Sequence, residues 1–247
     1  MPSPLIRHCC WSLDDLSSAD VQSLLAVARA LKHAGGVSRP LQGRHVAVLC
    51  EALHSASADV FSAAAARLGA VVVRSPPSVL RLAERQGLRE LASTLGRLYG
   101  AIECDGPSDA TAEQLAGWAG VPVFNAVAAR LHPTRLLADL LTMCEHAQQP
   151  AADVTLCMAS HAGSPLAAAW CQLGALTGVG MRSCEPAAGA SLRSGDFIFE
   201  AQQAGGVVAP PALLAMEDGH GQRRSLLDQQ ADNHRYVVQA LLSSHVN

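Results

Sequence analysis

The residues able to do chemistry gather where apolar runs give way to helix starts. After the apolar segment 45–50 come Glu51, Ala52, Leu53, His54, Ser55, Ala56 and Ser57, leading into a helix expected over about 57–68. A helix start presents free backbone amides and the positive end of the peptide dipole, so this loop favours an anion. Ser55 and Ser57 would add hydroxyl donors, with His54 beside them. The same serines equally fit simple capping of the helix. The loop has neither a glycine-rich phosphate signature nor a cation. A second such place is His132-Pro133-Thr134-Arg135, an X-Pro step that opens an apolar helix. His132 can donate to a carbonyl or phosphate oxygen, or be tied to its own backbone.

The elements that must position these residues alternate with a regular beat. A helix over about 17–35 is followed by strand 45–50, helix 57–68, strand 70–73, helix 78–98, strand 100–104, helix 111–119, strand 121–124 and helix 134–147. Such alternation predicts an α/β fold with a parallel sheet covered on both faces. Gln148, Gln149 and Pro150 read as a hinge. Beyond it come strand 153–158, helix 165–175, strand 179–184, short strands at 196–199 and 212–216, and a final amphipathic helix at about 226–243. The expected architecture is two Rossmann-like parallel-sheet halves, the second reduced. The divisions are 1–147, 148–225, and a C-terminal helix, 226–247, packing back on the first half. In open parallel sheets ligands collect at the carboxyl ends of strands, which is where the loops above lie.

Composition narrows the function classes. The chain has 247 residues, 49% hydrophobic and 16% charged, enough to bury a sizeable core and too apolar for disorder. Its formal charge of -3 offers no basic field for a nucleic acid. The eight cysteines are spread through apolar segments without a C-x-x-C pair, so they read as reduced core thiols. No metal and no cofactor is expected. Residues 154–181 lack charge, but Gly163, Pro165, Gly174 and Gly178 break them up, so they read as strand, turn, helix and strand rather than as a membrane span. No leader pattern opens the chain, and a cytoplasmic location is the expectation.

His132-Pro133-Thr134, with Leu137-Ala138-Asp139-Leu140-Leu141-Thr142-Met143 after it, resembles the His-Pro-Thr-Gln segment and following helix of the aspartate/ornithine carbamoyltransferases, ornithine carbamoyltransferase above all. The likeness extends to Trp11-Ser12-Leu13-Asp14-Asp15-Leu16, Leu95-Gly96-Arg97-Leu98-Tyr99 and Ala119-Gly120-Val121-Pro122-Val123-Phe124-Asn125, and weakly to Gln230-Ala231-Asp232-Asn233. It implies a carbamoyl-phosphate-binding-like first domain, an amino-acid-binding-like second one, and a homotrimer. On that pattern the anion side falls on His54, Ser55, Ser57 and Thr134, and the reacting carbonyl on His132 and Arg135. The amino-acid side falls on Asn125, His161, Ser164, His234 and Arg235.

The resemblance keeps the frame and loses the charges. The family's Ser-Thr-Arg-Thr-Arg loop falls on His54, Ser55, Ala56, Ser57 and Ala58, so both arginines are alanine here. A further family arginine falls on Asp105, and the family glutamine on Arg135. Each charge-assisted hydrogen bond to a phosphate contributes roughly 1.5–3 kcal/mol. Losing two arginines and reversing a third therefore removes on the order of 5 kcal/mol, about a thousandfold in affinity. The expectation is a carbamoyltransferase-like protein without carbamoyl phosphate-dependent catalysis, serving a binding, regulatory or assembly role toward a small amino-acid-like ligand or a protein partner. Two alternatives stand beside it. One is an active transferase on an unusual amine, with Arg135, Arg74, Arg81 or Arg85 restoring charge. The other is a sensor of a small neutral or cationic metabolite beside Asp105 and Glu51.

Overall fold

A computed structural model describes residues 12–35, 39–50, 55–75, 87–106, 108–158, 164–183, 196–200, 203–204, 207–208, 212–216 and 223–246. The helices are α1 (Ser18–His33), α2 (Ala56–Arg67), α3 (Leu88–Leu98), α4 (Asp109–Ala119), α5 (Pro133–Ala147), α6 (Pro165–Thr177) and α7 (Leu227–His245). The strands are β1 (His45–Cys50), β2 (Val71–Ser75), β3 (Ala101–Asp105), β4 (Val123–Asn125), β5 (Thr155–Met158), β6 (Gly180–Ser183), β7 (Phe197–Glu200), β8 (Gln203–Ala204), β9 (Val207–Val208), β10 (Ala212–Met216) and β11 (Arg223–Ser225).

Local chemistry explains the helix starts. Ser17 and Asp20 form a reciprocal capping box on α1, each accepting from the other's backbone amide at 3.2 and 2.9 Å. Ser55, Ser108 and Ser164 each accept a backbone N–H at the heads of α2, α4 and α6. Pro133 and Pro165 occupy first-turn positions where a missing N–H costs nothing. Gln148, expected in a hinge, ends α5 in the left-handed conformation at φ 54.

The first sheet runs in the order β2-β1-β3-β4, parallel throughout. One face carries α3 and α4, which pack on Ala47, Leu49, Ile102 and Cys104. The other faces α2, α7, α1 and α5 across the main core. The second sheet has the order β11-β10-β7-β5-β6, parallel among β5, β6 and β7 and closed by two antiparallel strands. Strands β8, β9 and β11 have two or three residues each, too short for alternation to announce them. Of the helix expected at 78–98, the described part starts at Leu88. Among the described residues Cys50, Cys104, Cys144 and Cys157 are buried and Cys171 is exposed. No described helix is long and apolar enough to cross a membrane.

Helix α7 packs against α1, α2 and α5 through Val237, Val238, Leu241 and Leu242. A polar seam runs beside this apolar contact. Lys32, the chain's one lysine, reaches from α1 to Glu145 of α5 at 2.6 Å and to Asn233 of α7 at 2.8 Å. Asn233 in turn donates to Thr142 and Glu145. Burial alone would raise the Glu145 carboxyl, but hydrogen bonds from Lys32, Asn233 and Gln229 outweigh it and hold the group below its ordinary range. Gln230 completes the seam, donating to Asp139 of α5 at 2.8 Å and accepting from the Leu213 amide of β10 at 3.0 Å. That pair of bonds ties the second sheet to a helix of the first half.

Candidate functional site

The carboxyl ends of β1, β3 and β4 meet the starts of α2 and α5 around one turn, Ala126–Ala128. Ala126 sits at φ 52, a conformation that costs a residue with a Cβ roughly 1–2 kcal/mol. Four side chains bond the turn directly, and His132 braces one of them. The Val127 N–H donates to Glu103 Oε1 at 3.1 Å, and the Ala128 N–H donates to Ser57 Oγ at 3.0 Å. The Val127 carbonyl accepts from Thr134 Oγ1 at 2.9 Å and from His234 Nε2 at 3.1 Å. His132 caps α5 and lies 2.8 Å from Thr134 Oγ1 through Nδ1.

Protonation follows from this geometry. His132 Nδ1 lies 3.3 Å from the Thr134 backbone N–H that it caps and 2.8 Å from the Thr134 hydroxyl. Burial, and to a lesser degree the neighbouring His234, lower the His132 pKa to about 3. Burial and the nearby Arg135 charge lower His234 to about 4, against the opposing bond to Val127. Both rings are therefore neutral at physiological pH. Burial raises the Glu103 carboxyl well above its ordinary range, and the Asp105 charge adds to this while the Val127 bond opposes it. His132 Nε2, Glu103 Oε2 and Asn125 Oδ1 are buried without a hydrogen-bond partner among the described residues. Such orphans are rare in folded proteins.

Of the residues singled out in the sequence, Ser55, Ser57, His132, Thr134 and His234 come together at this place. Asn125 ends β4 beside them but turns its amide to Asp109 at 2.7 Å. His54 and His161 lie outside the described residues, as do Glu51, Arg81 and Arg85. Ser164 is spent on capping α6. Arg235 is paired with Asp232 one turn earlier on an exposed stretch of α7.

The two described arginines expected to restore positive charge each face a carboxyl group. Arg135 lies 3.8 Å from Asp139 on its own helix. Arg74 pairs with Asp59 at 2.7 Å and donates to the Ala58 carbonyl and Ser62, which fastens the end of β2 to α2. At the start of α2, Ser55 Oγ accepts the Ala58 amide at 3.0 Å and donates to the Asp105 carboxylate. Among the described residues no group of three or more His, Cys, Asp or Glu could hold a metal ion.

Glu103 is the member of this site that motif spacing does not reveal. A charged residue inside the apolar strand Ala-Ile-Glu-Cys was the signal that a buried acid stands there with a specific partner.

The family model for "Aspartate/ornithine carbamoyltransferase, carbamoyl-P binding domain" matches residues 7–145. An ornithine carbamoyltransferase of Haemophilus influenzae is 32% identical over 185 residues, covering 74% of this chain and 55% of that one. One of Cutibacterium acnes is 33% identical over 183 residues, with 73% and 54% covered. The matched region thus spans about half the length of these curated relatives. Among solved structures, ornithine carbamoyltransferase from Thermus thermophilus superposes with a TM-score of 0.71 at 21% identity, covering 97% of this chain and 99% of that one. The enzyme from Burkholderia thailandensis gives 0.73 at 18% identity, with 98% and 99% covered.

Proposed function

The chain belongs to the aspartate/ornithine carbamoyltransferase family, and from that premise we propose that it is a carbamoyltransferase-like protein that no longer turns over carbamoyl phosphate and serves as a binding, regulatory or assembly partner. The observation that supports this reading is that the two candidate cations among the described residues both face carboxyl groups. Arg74 is bound to Asp59 and Arg135 faces Asp139, while His132 and His234 are held neutral. A phosphate that is close to dianionic needs charge-assisted donors, and the departing phosphate needs them again in the transition state. The dipole of α2 offers only about 0.3–2 kcal/mol in their place. Of the polar side chains kept from the family pattern, Ser57 and Thr134 bond the 126–128 turn and His132 Nδ1 caps α5.

The test is calorimetric titration with carbamoyl phosphate and with a bisubstrate phosphonate analogue. No heat of binding is expected up to millimolar concentration, and micromolar affinity for either compound overturns the proposal.

The proposal extends to the assembly and its place in the cell: a homotrimer, cytoplasmic, divided at 1–147, 148–225 and 226–247, with a small amino-acid-like molecule or a protein as partner. The trimer follows from the family contacts that the resemblance puts in the first half, the better matched one. Light scattering is expected to give three times the chain mass of 25.7 kDa. A monomeric mass at micromolar concentration refutes that part.

A further inference from the structure

We propose that the Ala126–Ala128 turn is a two-state element latched by the Glu103 carboxyl: in its acid form the carboxyl keeps the turn closed over the ends of the strands, and loss of its proton lets the turn open to water.

The latch is a carboxyl set in an apolar interior. Glu103 lies on β3 between Val48 of β1 and Phe124 of β4, both members of the main core, and it is fully buried. Its Oε1 accepts the Val127 N–H at 3.1 Å, and its Oε2 is buried without a hydrogen-bond partner among the described residues. Ionised there, the group would be a buried charge with one donor to answer it, whereas the neutral acid avoids most of that cost. The titratable and charged groups that the surrounding elements bring offer no relief. Asp105, two residues on along β3, is an anion that opposes ionisation. On α2, Ser57 meets the turn while Asp59 is taken by Arg74. The head of α5 contributes His132, held neutral, and Arg135, which faces Asp139. From α7 come His234 and His245, whose rings burial also biases toward the neutral form.

The turn is the part that can yield. Regular strands and α2 satisfy their own backbone, but the turn meets the sheet backbone through one bond, from the Ala126 N–H to the Cys104 carbonyl at 2.8 Å. Side chains supply its other anchors, and Ala126 at φ 52 adds strain that opening relieves. Opening therefore hydrates Glu103 for a handful of hydrogen bonds and leaves both sheets intact, a local rather than a global event. The chain runs on from the turn to His132 and Thr134, so the same opening frees the Thr134 hydroxyl and the His234 ring from the Val127 carbonyl and reshapes the crevice at the carboxyl ends of β1, β3 and β4.

The sign follows from linkage. In the open turn Glu103 returns to its ordinary value of 4.5, and in the closed turn burial holds it well above that. Opening becomes easier as pH rises from 4.5, by up to about tenfold per pH unit, and levels off once Glu103 ionises in the closed turn. His234 acts on the same turn with the opposite sign, since its protonation favours opening from the acid side.

The experiment is amide hydrogen exchange, read by NMR on the full chain and on a Glu103→Gln variant between pH 4.5 and 8. Protection of the Val127 and Ala128 amides is expressed relative to an unstructured chain at each pH. The ratio of protection in the unsubstituted chain to that in the variant cancels the His234 contribution, which both chains share. That ratio is expected to fall by up to about tenfold per pH unit above 4.5, while the Val48 amide of β1 stays more protected than the turn throughout. A ratio independent of pH overturns the proposal, as does exchange of the turn amides at the rate of Val48, which would mean that the turn opens only when the whole chain unfolds. If the Gln chain does not fold, the unsubstituted chain alone decides: the Glu103 carboxyl carbon and the Val127 amide are expected to titrate with one shared midpoint, and separate midpoints refute the latch.

Discussion

Combining Glu103→Gln with Asp139→Asn is expected to remove on the order of 5 kcal/mol of stability between pH 6.5 and about 4, a window in which the unsubstituted chain changes little. Four buried groups account for this, each displaced by burial toward its uncharged form. His132 and His234 titrate in the fold at about 3 and about 4 rather than 6.5, chiefly because burial penalises their cations. Unfolded histidines take up protons below pH 6.5 and the folded ones do not, so their contribution is lost as pH falls through this range. Asp139 is raised from 3.8 to about 6 by burial, against the opposing pull of Arg135 and Gln230, and Glu103 is raised further. Their contribution is fully present below the unfolded carboxyl values and is lost as pH rises through the folded ones. Over the shared window the two slopes oppose each other. Amide substitution removes the acid slope and leaves that of the histidines, about 1.4 kcal/mol per pH unit for each proton. Gln retains an acceptor for the Val127 amide, and Asn retains one for Gln230. Urea denaturation at a series of pH values is the measurement. The mirror pair, His132→Asn with His234→Gln, is expected to lose stability as pH rises from 4 to 6. Identical pH profiles for all three chains would refute the account.

Gly96→Ala is expected to destabilise the fold by roughly 3 kcal/mol or more, whereas Gly117→Ala stabilises it by about 0.5–1 kcal/mol. Both glycines are helical, in α3 and α4, and helix propensity alone predicts the same gain at each. The surroundings reverse the sign at one of them. A Cβ on Gly96 would lie 1.8 Å from the Ala119 carbonyl oxygen and 2.7 Å from its carbon. Backbone at the end of α4 cannot swing aside as a side-chain tip can, so α3 and α4 must separate along the face they share. A Cβ on Gly117 meets nothing within 4 Å. Thermal and denaturant midpoints of the two variants settle the contrast. Equal shifts in the same direction would show that the α3–α4 approach is looser than described.

Much of this was legible in the sequence because the signals were strong and local. The alternation of apolar strands and amphipathic helices locates every strand of the first sheet, and His45–Cys50 matches residue for residue. Ser17 with Asp20 and the prolines at 133 and 165 mark helix starts to within a residue or two. The site was legible in membership but not in allegiance. Ser57, Thr134, His132 and His234 do converge, yet they hold a left-handed turn rather than pointing outward together, and spacing carries no information about which acceptor a hydroxyl will find. The engagement of Arg135 by Asp139 is an i,i+4 pair that the sequence contained. Gln230 was quoted only for its resemblance, because its bridge from Asp139 to Leu213 joins residues far apart along the chain.

The main apolar cluster contains Val46 and Val48 of the first sheet together with Leu156, Phe197 and Leu213 of the second, joined through α5, α7 and Trp170. A continuous packed interior of this kind resists prising apart, because a gap would strip contacts from both sheets at once. Any adjustment between the halves is therefore restricted to shear, with helices sliding by an ångström or two over one another. The same continuity couples melting of the smaller half to that of the larger, so the chain should lose its structure in one cooperative step rather than shed its second sheet first.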